Sequence, residues 1–356
     1  MCAPAAVDFD TGLMNVHLAL LRRRCRGFRT VRDALAALEQ RAGDDDARAL
    51  KILVMPGTYS EEIRPARPVE LWGLGGRDVV FTGGLEVGGE RALQRMQAFL
   101  GTLAQRVRGS PTPKDDIAQA TTVVHNVLFR GRGIRVLNNA VVSLAFCQVE
   151  QVDGDAIDVS GASSIHVRHC AVTDNDGCGL MLWTPGNTLT FSEVSHNEAG
   201  VRLRGEASVD AIANHIHGNR VTGLLAQLGS QLKCERSHVH GNAGVGVLVE
   251  SNASANVADN DVWNNKVGIV LDNSGYTLVE TNTVHSNNYE GILVRSHASG
   301  KVTGNKVYNN GQRGIVIGDT TQADDNEVFR NNCNAPLSST KGLATPPMPK
   351  KKDKET

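Results

Sequence analysis

Aromatic side chains, long apolar runs and excess charge are all scarce in this sequence of 356 residues. Only 4% of the residues are Phe, Trp or Tyr, and the formal net charge is −1. So small a charge produces no global field that would attract nucleic acid or an acidic membrane, and we expect neither as a partner. No stretch approaches the roughly 18 apolar residues of a membrane span. The seven cysteines are odd in number and lack paired spacing, so they do not indicate a disulfide framework.

The first residues, MCAPAAVDFDTG, lack the basic-then-apolar pattern of a signal peptide. We therefore expect an intracellular protein, cytoplasmic or cytoskeletal, whose cysteines are free thiols. Glycine, in contrast, is abundant at 37 residues. Much glycine with few aromatics is typical of a fold that has many tight turns and a core of small side chains.

A repeat of about 22 residues runs through the second half of the sequence and is typical of solenoid folds. Its marker asparagines are Asn175, Asn197, Asn219, Asn242, Asn265, Asn287, Asn310 and Asn331, and Asp153 and Gly131 extend the series backward. A glycine column follows at Gly133, Gly179, Gly200, Gly223, Gly246, Gly268, Gly291 and Gly314. A second polar column lies five residues before the marker at Cys170, Ser192, Asn214, Ser237, Asn260, Asn282 and Asn305, with Cys147 before it.

The pieces between these columns are short strands of period two, such as GIVLD and GILVR. One such unit cannot bury its own apolar face, so we expect coil to stack on coil about 4.8 Å apart as a parallel β-helix. Inward asparagines at one bend can then hydrogen-bond their neighbours above and below. Gly and Asn are expected at bends that need left-handed backbone angles.

The pattern N-x-V-x-x-N-x-x-x-G-I-x-L, seen in NDVWNNKVGIVL and NKVYNNGQRGIVI, resembles the right-handed parallel β-helix repeats of the pectate-lyase-like superfamily. Within it, the pattern is most similar to the β-helix domain of F-box ubiquitin-ligase adaptors and to the carbohydrate-binding and sugar-hydrolase repeat. The resemblance covers about residues 121–334, and ILVMPGTYSEEI resembles a first coil. It implies the fold and leaves the function open.

The predicted fold is therefore all-β: a right-handed parallel β-helix of about ten or more coils, with an N-terminal capping helix and a helical insertion. Residues 1–45 hold the N-terminal segment and the capping helix, in which Val31, Leu35 and Leu38 have helical spacing. Residues 46–334 form the β-helix, with the insertion at about 89–118. Residues 335–356 are rich in Pro and Lys, which predicts a disordered tail.

An outward apolar row supports our main functional hypothesis. Alternation along the strand after each glycine points one residue per coil outward, beginning with Arg135 and Asp158. Five successive coils place an aliphatic side chain there, which we call the apolar row: Leu225, Leu248, Val270, Leu293 and Val316. A contiguous row often marks a contact surface, unless the chain's own insertion or tail covers it. The apolar row, together with Trp263 and Tyr308, predicts a non-catalytic scaffold or protein-interaction module that binds protein partners in a larger assembly.

The alternative hypothesis is a carbohydrate-active enzyme: a lyase, hydrolase or epimerase. Its candidate residues lie on adjacent coils: Asp153, Asp155, Asp158, Asp174 and Asp176, with Arg135 and Arg202 on either side. Paired carboxylates catalyse glycoside hydrolysis, and clustered ones bind the calcium that polysaccharide lyases use. The alternative is a structural role for these residues, because Asp, like Asn, is favoured at bends. The polygalacturonase-like NTD…DD…GHG set and the epimerase-like DPHE are absent, so catalysis is not our main expectation.

Four histidines raise a third possibility. His215, His217, His238 and His240 should point outward as a rectangle on two neighbouring coils, where imidazoles can share a zinc ion. The alternative is an exposed sheet face on which the imidazoles are spacers. Because no carboxylate accompanies every histidine, we expect no metal and no cofactor.

Overall fold

The computed structural model describes residues 6–8, 26–41, 50–88, 121–295, 297–318 and 320–332. The chain winds into a right-handed parallel β-solenoid of about 11 turns with only 4% helix, which confirms the predicted fold class and number of coils. Among the residues described, no helix is long and apolar enough to cross a membrane. The predicted insertion at 89–118 and the tail at 335–356 lie outside the described residues.

Three sheets form the sides of the solenoid, and each turn adds one strand to each. Sheet A contains Ala6–Asp8 and Arg26–Phe28, which pair antiparallel, and the parallel strands Leu50–Val54, Val69–Gly73, Thr121–His125, Val141–Ala145, Ser164–Arg168, Asn187–Thr190, Ser208–Ile212, Gln231–Glu235, Ser254–Ala258, Tyr276–Glu280, Ser299–Thr303 and Thr321–Asp324. Sheet B contains Gly57–Tyr59, Val79–Phe81, Leu128–Gly131, Gln148–Val152, Ala171–Thr173, Glu193–Ser195, His215–His217, His238–His240, Asp261–Trp263, Thr283–His285, Lys306–Tyr308 and Glu327–Phe329. Sheet C contains Leu85–Val87, Ile134–Val136, Ile157–Val159, Leu180–Leu182, Ala199–Leu203, Thr222–Ala226, Val245–Glu250, Val267–Asp272, Ile292–Val294 and Ile315–Val316.

Strands of neighbouring turns pair in register, so like residues stack along the axis. Ile269, for example, pairs with Ile292, and Leu271 with Val294; all four side chains point inward and are fully buried. Alternate residues face outward, as the period-two pattern predicts. Inward aliphatic ladders fill the core because each parallel strand must bury one face between the three sheets.

Two columns of buried polar side chains run along the solenoid, one on each side of sheet B. In the column of marker asparagines, the backbone N–H and the Nδ2 of Asn242 donate to Oδ1 of Asn265 at 3.0 and 2.9 Å, and the pattern repeats from coil to coil. The other column, at the corner between sheets A and B, mixes Cys, Ser and Asn. There the N–H of Ser192 donates to Oδ1 of Asn214 at 3.0 Å. The predicted asparagine ladders are confirmed.

The backbone at these corners differs from the sequence-based expectation. The left-handed residue comes directly before each ladder position and need not be Gly or Asn: Phe146 and His169 have φ of 55° and 51°. The column glycines serve another purpose. A Cβ on Gly268 would lie 2.5 Å from the carbonyl oxygen of Gly291 and 2.7 Å from Cγ1 of Val284. Glycine is needed there for space between coils, and not for a left-handed angle.

The start of the marker series also needs a correction. The residue whose N–H donates to Oδ1 of Asn175 is Val152, at 3.0 Å, so Val152 and not Asp153 stands at the head of the ladder. The pairing of this strand shifts between Glu150 and Val152, where Gln151 has a positive φ of 52°. That shift concerns the preceding strand, Leu128–Gly131. Towards the next coil Gln148, Val149 and Glu150 pair regularly with Ala171, Val172 and Thr173, so Val152 lies 23 residues before Asn175, a spacing that also occurs elsewhere in the series.

The predicted capping helix is present at Val31–Arg41. Its N-terminus is capped twice, because Oγ1 of Thr30 accepts the N–H of Asp33 at 3.0 Å and Oε1 of Glu61 accepts the N–H of Val31 at 2.6 Å. Val31, Ala34 and Leu35 are buried in the same core as the sheets. The helix therefore covers the apolar N-terminal end of the solenoid, as solenoid termini require.

Candidate functional site

The outward face of sheet C divides into a charged half and an apolar half. One in-register row begins with Glu86, Arg135, Asp158, Met181 and Arg202 and continues into the apolar row. The charged side chains at the start of the row form ion pairs. Nη2 of Arg135 pairs with Oε2 of Glu86 and lies 3.5 Å from Oε1 of Glu62, which is outside the row. The alternation predicted from the sequence therefore places each of these side chains correctly.

Asp158 is the carboxylate that stands out on this face. It is half-buried, and its buried Oδ1 has no hydrogen-bond partner among the described residues. Burial raises the pKa of the Asp158 carboxyl, and the nearby Asp155 raises it further, whereas Arg135 acts in the opposite direction. A titratable group that is perturbed in this way and lacks a partner is typical of a functional site.

An aromatic and a cation lie beside Asp158 in the next outward column of sheet C. Trp183 is 42% exposed, and the guanidinium carbon of Arg204 lies 5.4 Å from its ring centroid. The Nε of Arg204 is buried and unpartnered among the described residues. Three successive coils thus carry Asp158, Trp183 and Arg204, within about 10 Å along the axis.

Of the predicted acidic cluster, the structure brings together Asp155 and Asp158. Oδ1 of Asp155 accepts the N–H of Cys178 at 2.7 Å, and burial together with Asp155 raises the pKa of the Cys178 thiol to about 12. The other members, Asp153, Asp174 and Asp176, are exposed at the corner between sheets B and C. Arg202 is half-buried, with its Nε donating to Oε1 of Gln227 at 3.2 Å.

The apolar row is continuous but is not an open surface. Val270, Leu293 and Val316 are 3%, 6% and 1% exposed, and Val245, Leu248 and Val267 pack against them. These side chains point outward and are nevertheless buried. The docking role of the apolar row stays a prediction. A docking surface would have to be exposed to a partner, whereas most side chains of this row are buried.

The four histidines occupy the predicted positions on two neighbouring coils, with His215 opposite His238 and His217 opposite His240, and their rings form a tight cluster. His217 and His240 stack face to face at 5.0 Å, and Nε2 of His215 lies 2.5 Å from Nε2 of His240. Burial and the neighbouring histidines lower the pKa of His240 to about 4. Burial also lowers the pKa of His215. Within the described part of the chain, no three His, Cys, Asp or Glu side chains are placed to hold a metal ion.

The histidine cluster begins a longer column of stacked rings on sheet B. Its members are His217, His240, Trp263, His285, Tyr308 and Phe329, with neighbouring centroids 4.2 to 6.0 Å apart and planes within 15° of parallel. The ring faces of Trp263 and Tyr308 are therefore occupied by their neighbours. A binding role for these two residues remains a prediction, while their stacking favours a structural contribution.

Both cysteines at the start of the corner column are free and buried, as expected from the sequence. The N–H of Cys147 donates to Sγ of Cys170 at 3.4 Å, so sulfur takes the acceptor position that asparagine oxygen takes in later coils. Burial raises the pKa of the Cys147 thiol. The hydrogen bond from Cys147 lowers the pKa of Cys170.

Trp183 and Arg204 are the site residues that sequence reasoning did not single out. In the sequence their column has the pattern of a solvated face, because Gln227, Glu250 and Asp272 follow in it. A usable signal was present: Trp183 is one of three tryptophans in the chain, and it stands on an outward position next to the charged half of the row.

The fold and the repeat define a class of solenoid protein, and the comparisons give the family. A family described as "Right handed beta helix region" matches residues 118–262 and 199–344. These matches span more than half of the chain, so the chain belongs to this family. A comparison with curated protein sequences found no match.

Solved structures share the fold at low sequence identity. The A-module of the mannuronan C-5 epimerase AlgE4 of Azotobacter vinelandii is 12% identical, with a TM-score of 0.56 over 87% of this chain and 93% of that one. The AlgE6 A-module of the same organism is 14% identical, with a TM-score of 0.55 over 88% and 93%. Tailspike protein 3 of bacteriophage CBA120 is 12% identical, with a TM-score of 0.49 over 92% and 64%. At such identities the likeness to the two epimerase modules shows the fold alone.

Proposed function

We propose that this chain is a carbohydrate-active protein that binds an acidic polysaccharide on the outward face of sheet C. The observation that carries the proposal is the set of Asp158, Trp183 and Arg204 on three successive coils, in which a buried carboxyl oxygen and a buried guanidinium nitrogen both lack partners among the described residues. Such atoms are costly to leave unpaired unless a ligand satisfies them.

The chemistry of the three side chains suits a uronic acid polymer. A guanidinium presents a planar set of donors that fits the carboxylate of a uronate, and Arg135 and Arg202 provide further positive charge nearby. An exposed indole offers a flat apolar surface for the C–H face of a sugar ring. A carboxyl whose pKa is raised, as in Asp158, is suited to proton transfer, so catalysis at this residue is part of the proposal.

The class of ligand also has support from the similar structures. Two of them are mannuronan C-5 epimerases, and mannuronan is a polymer of a uronic acid. The non-catalytic scaffold hypothesis loses support in comparison, because it needs an open apolar row and most members of that row are buried.

Binding can be measured with alginate and polygalacturonate in affinity electrophoresis, with neutral dextran as the reference polymer. We expect Arg204→Ala and Trp183→Ala to weaken retardation at least 10-fold, which is about 1.4 kcal/mol. Arg295→Ala is the matched control, because Arg295 occupies the same outward column four coils later, where its Nη1 bonds to Oδ2 of Asp272 at 2.9 Å. Retardation should weaken as salt rises, since charge pairing is screened.

Catalysis is tested separately with Asp158→Asn on the same polymers. Unsaturated uronate absorbance reports a lyase, anomeric proton signals report an epimerase, and new reducing ends report a hydrolase. We expect turnover to be lost in this variant while polysaccharide binding is kept. Absence of binding to both acidic polymers at low salt, or equal retardation of the Arg204 and Arg295 variants, would refute the proposal.

A further inference from the structure

A second column of rings stands at the corner between sheets A and B, on a different side of the solenoid from Asp158. Trp72, His125, Phe146, His169 and Phe191 follow one another along the axis, with neighbouring centroids 4.3 to 5.2 Å apart. The column ends at Phe191, because the corresponding residue of the next coil is Ala213. Phe146 and Phe191 are each 55% exposed.

The corner itself does not require aromatic residues. Phe146, His169 and Phe191 all adopt left-handed backbone angles, with φ of 55°, 51° and 49°. The turn sets this angle in every coil, and the angle is unfavourable for a bulky side chain. Later coils place smaller or polar residues at the equivalent corner, such as Ala213 and Asp259. Three exposed, strained rings in successive coils therefore call for a reason beyond the turn.

A groove of about 540 Å³ runs beside these rings over sheet B. Leu128, Gln148, Ala171 and Glu193 lie in register along its floor, which spans three coil spacings, or about 14 Å. The small side chain of Ala171 leaves room in the middle. Gln148 lines the groove, and its buried Oε1 has no hydrogen-bond partner among the described residues.

These features select a ligand that combines apolar C–H surface with hydroxyl donors. The rims of Phe146 and Phe191 offer apolar contact, while Gln148 and the Glu193 carboxylate offer acceptors. A purely apolar ligand would leave Oε1 of Gln148 buried and unpaired. The groove is lined by one cation, Arg77, and one anion, Glu193, so these two charges cancel and favour neither an anionic nor a cationic ligand. We infer that this groove is a binding site for a short neutral oligosaccharide, and this inference does not rest on the proposed function of sheet C.

The inference is tested by saturation-transfer NMR and calorimetric titration of the full chain with maltotriose, cellotriose and mannotriose. We expect saturable binding of at least one of them, with transfer from aromatic protons to sugar protons. Phe191→Ala and Gln148→Leu should each weaken that affinity at least 10-fold. Phe191→Ala should fold normally, because Ala213 occupies the same position one coil later.

Leu228→Ala is the matched control, since Leu228 is also a left-handed corner residue, with φ of 57°, and is 57% exposed at a different corner. Its affinity should equal that of the wild type. Failure of all three sugars to bind would overturn the inference. Equal affinity of the Phe191 and Leu228 variants for the sugar would also overturn the inference. A third contrary result would be binding of the dye anilinonaphthalene sulfonate in the groove without binding of any sugar, because it would indicate an apolar ligand.

Discussion

Protonation of His240 is opposed by its surroundings. Its ring stacks between His217 and Trp263, and its pKa is lowered to about 4. In the unfolded chain a histidine titrates near ~6.5. Between these two values the unfolded state binds more protons than the folded state. The free energy of unfolding therefore decreases as pH falls from about 6.5 towards 4. Above about pH 6.5 His240 is neutral in both the folded and the unfolded state, so this loss of stability is absent there.

Replacing His240 by Phe should remove part of this pH dependence, because a phenyl ring can keep the stacking but cannot take up a proton. We expect the melting temperature of His240→Phe to fall less than that of the wild type between pH 7 and roughly 4.5. His297→Phe is the control, since His297 is exposed. The melting temperature of this variant should change with pH as that of the wild type does. Parallel profiles for the wild type and His240→Phe would contradict the assignment.

The sequence predicted the direction of these side chains but not their state. Period-two alternation correctly placed Asp158 and His240 on outward faces. It could not predict that Oδ1 of Asp158 is buried, or that His215 and His240 meet across the diagonal of the cluster. Those properties depend on the depth of neighbouring side chains and on rotamers, neither of which is encoded in spacing along one strand.

At the scale of the structural element, the marker ladder is a chain of amides in which every member is both donor and acceptor. Nδ2 of Asn265 donates to Val239 at 3.0 Å, and its Oδ1 accepts from Asn242. Because each bond polarises the next in a buried setting, removing one donor affects more than one partner.

Asn265→Asp keeps the shape and removes the donor, placing a carboxylate against the Val239 carbonyl oxygen inside the solenoid. We expect a loss of at least about 2 kcal/mol in the free energy of unfolding, measured in urea. Asn264→Asp is the same change at the adjacent residue, which is exposed at the left-handed corner, and should cost less than about 0.5 kcal/mol. Similar losses for both variants would mean that the ladder is not a significant source of stability.

At the scale of the whole molecule, the solenoid depends on closure of its N-terminal end. Without the capping helix, the core that includes Ile52 and Val54 would lose its cover, and the exposed apolar surface would associate with another molecule. Ala34 is fully buried on the inner face of this helix, while Ala36 is exposed on its outer face.

Ala34→Glu should lower the melting temperature and produce oligomers, because it buries a charge under the cap at a cost of roughly several kcal/mol. The same change at Ala36 is the control and should leave the size and the stability of the wild type unchanged. A thermal scan measures the first effect, and light scattering coupled to size-exclusion chromatography the second. An Ala34 variant with the stability and the size of the wild type would show that the cap is dispensable.

The overall architecture could be predicted best from the sequence, because the same residue pattern recurs in every coil. The helix at Val31–Arg41 was equally accessible from its apolar spacing. The head of the marker ladder was predicted wrongly: Val152 stands there and not Asp153. Spacings of 22 and 23 residues both occur in the series, and the polar side chain of Asp153 suggested the wrong one. The corner column contained the better signal, since Cys147 lies five residues before Val152.

Pairing between adjacent turns also has a consequence for how the chain folds. His215 pairs with His238, only 23 residues away, so a typical strand contact spans about 0.06 of the 356-residue chain. That relative contact order lies at or below the range of helical bundles, although the protein is almost entirely β-structure. Each coil can find its partner as soon as the next one has left the ribosome, starting from the capped N-terminal end. We therefore expect vectorial folding during synthesis, without the slow long-range search usual for all-β proteins.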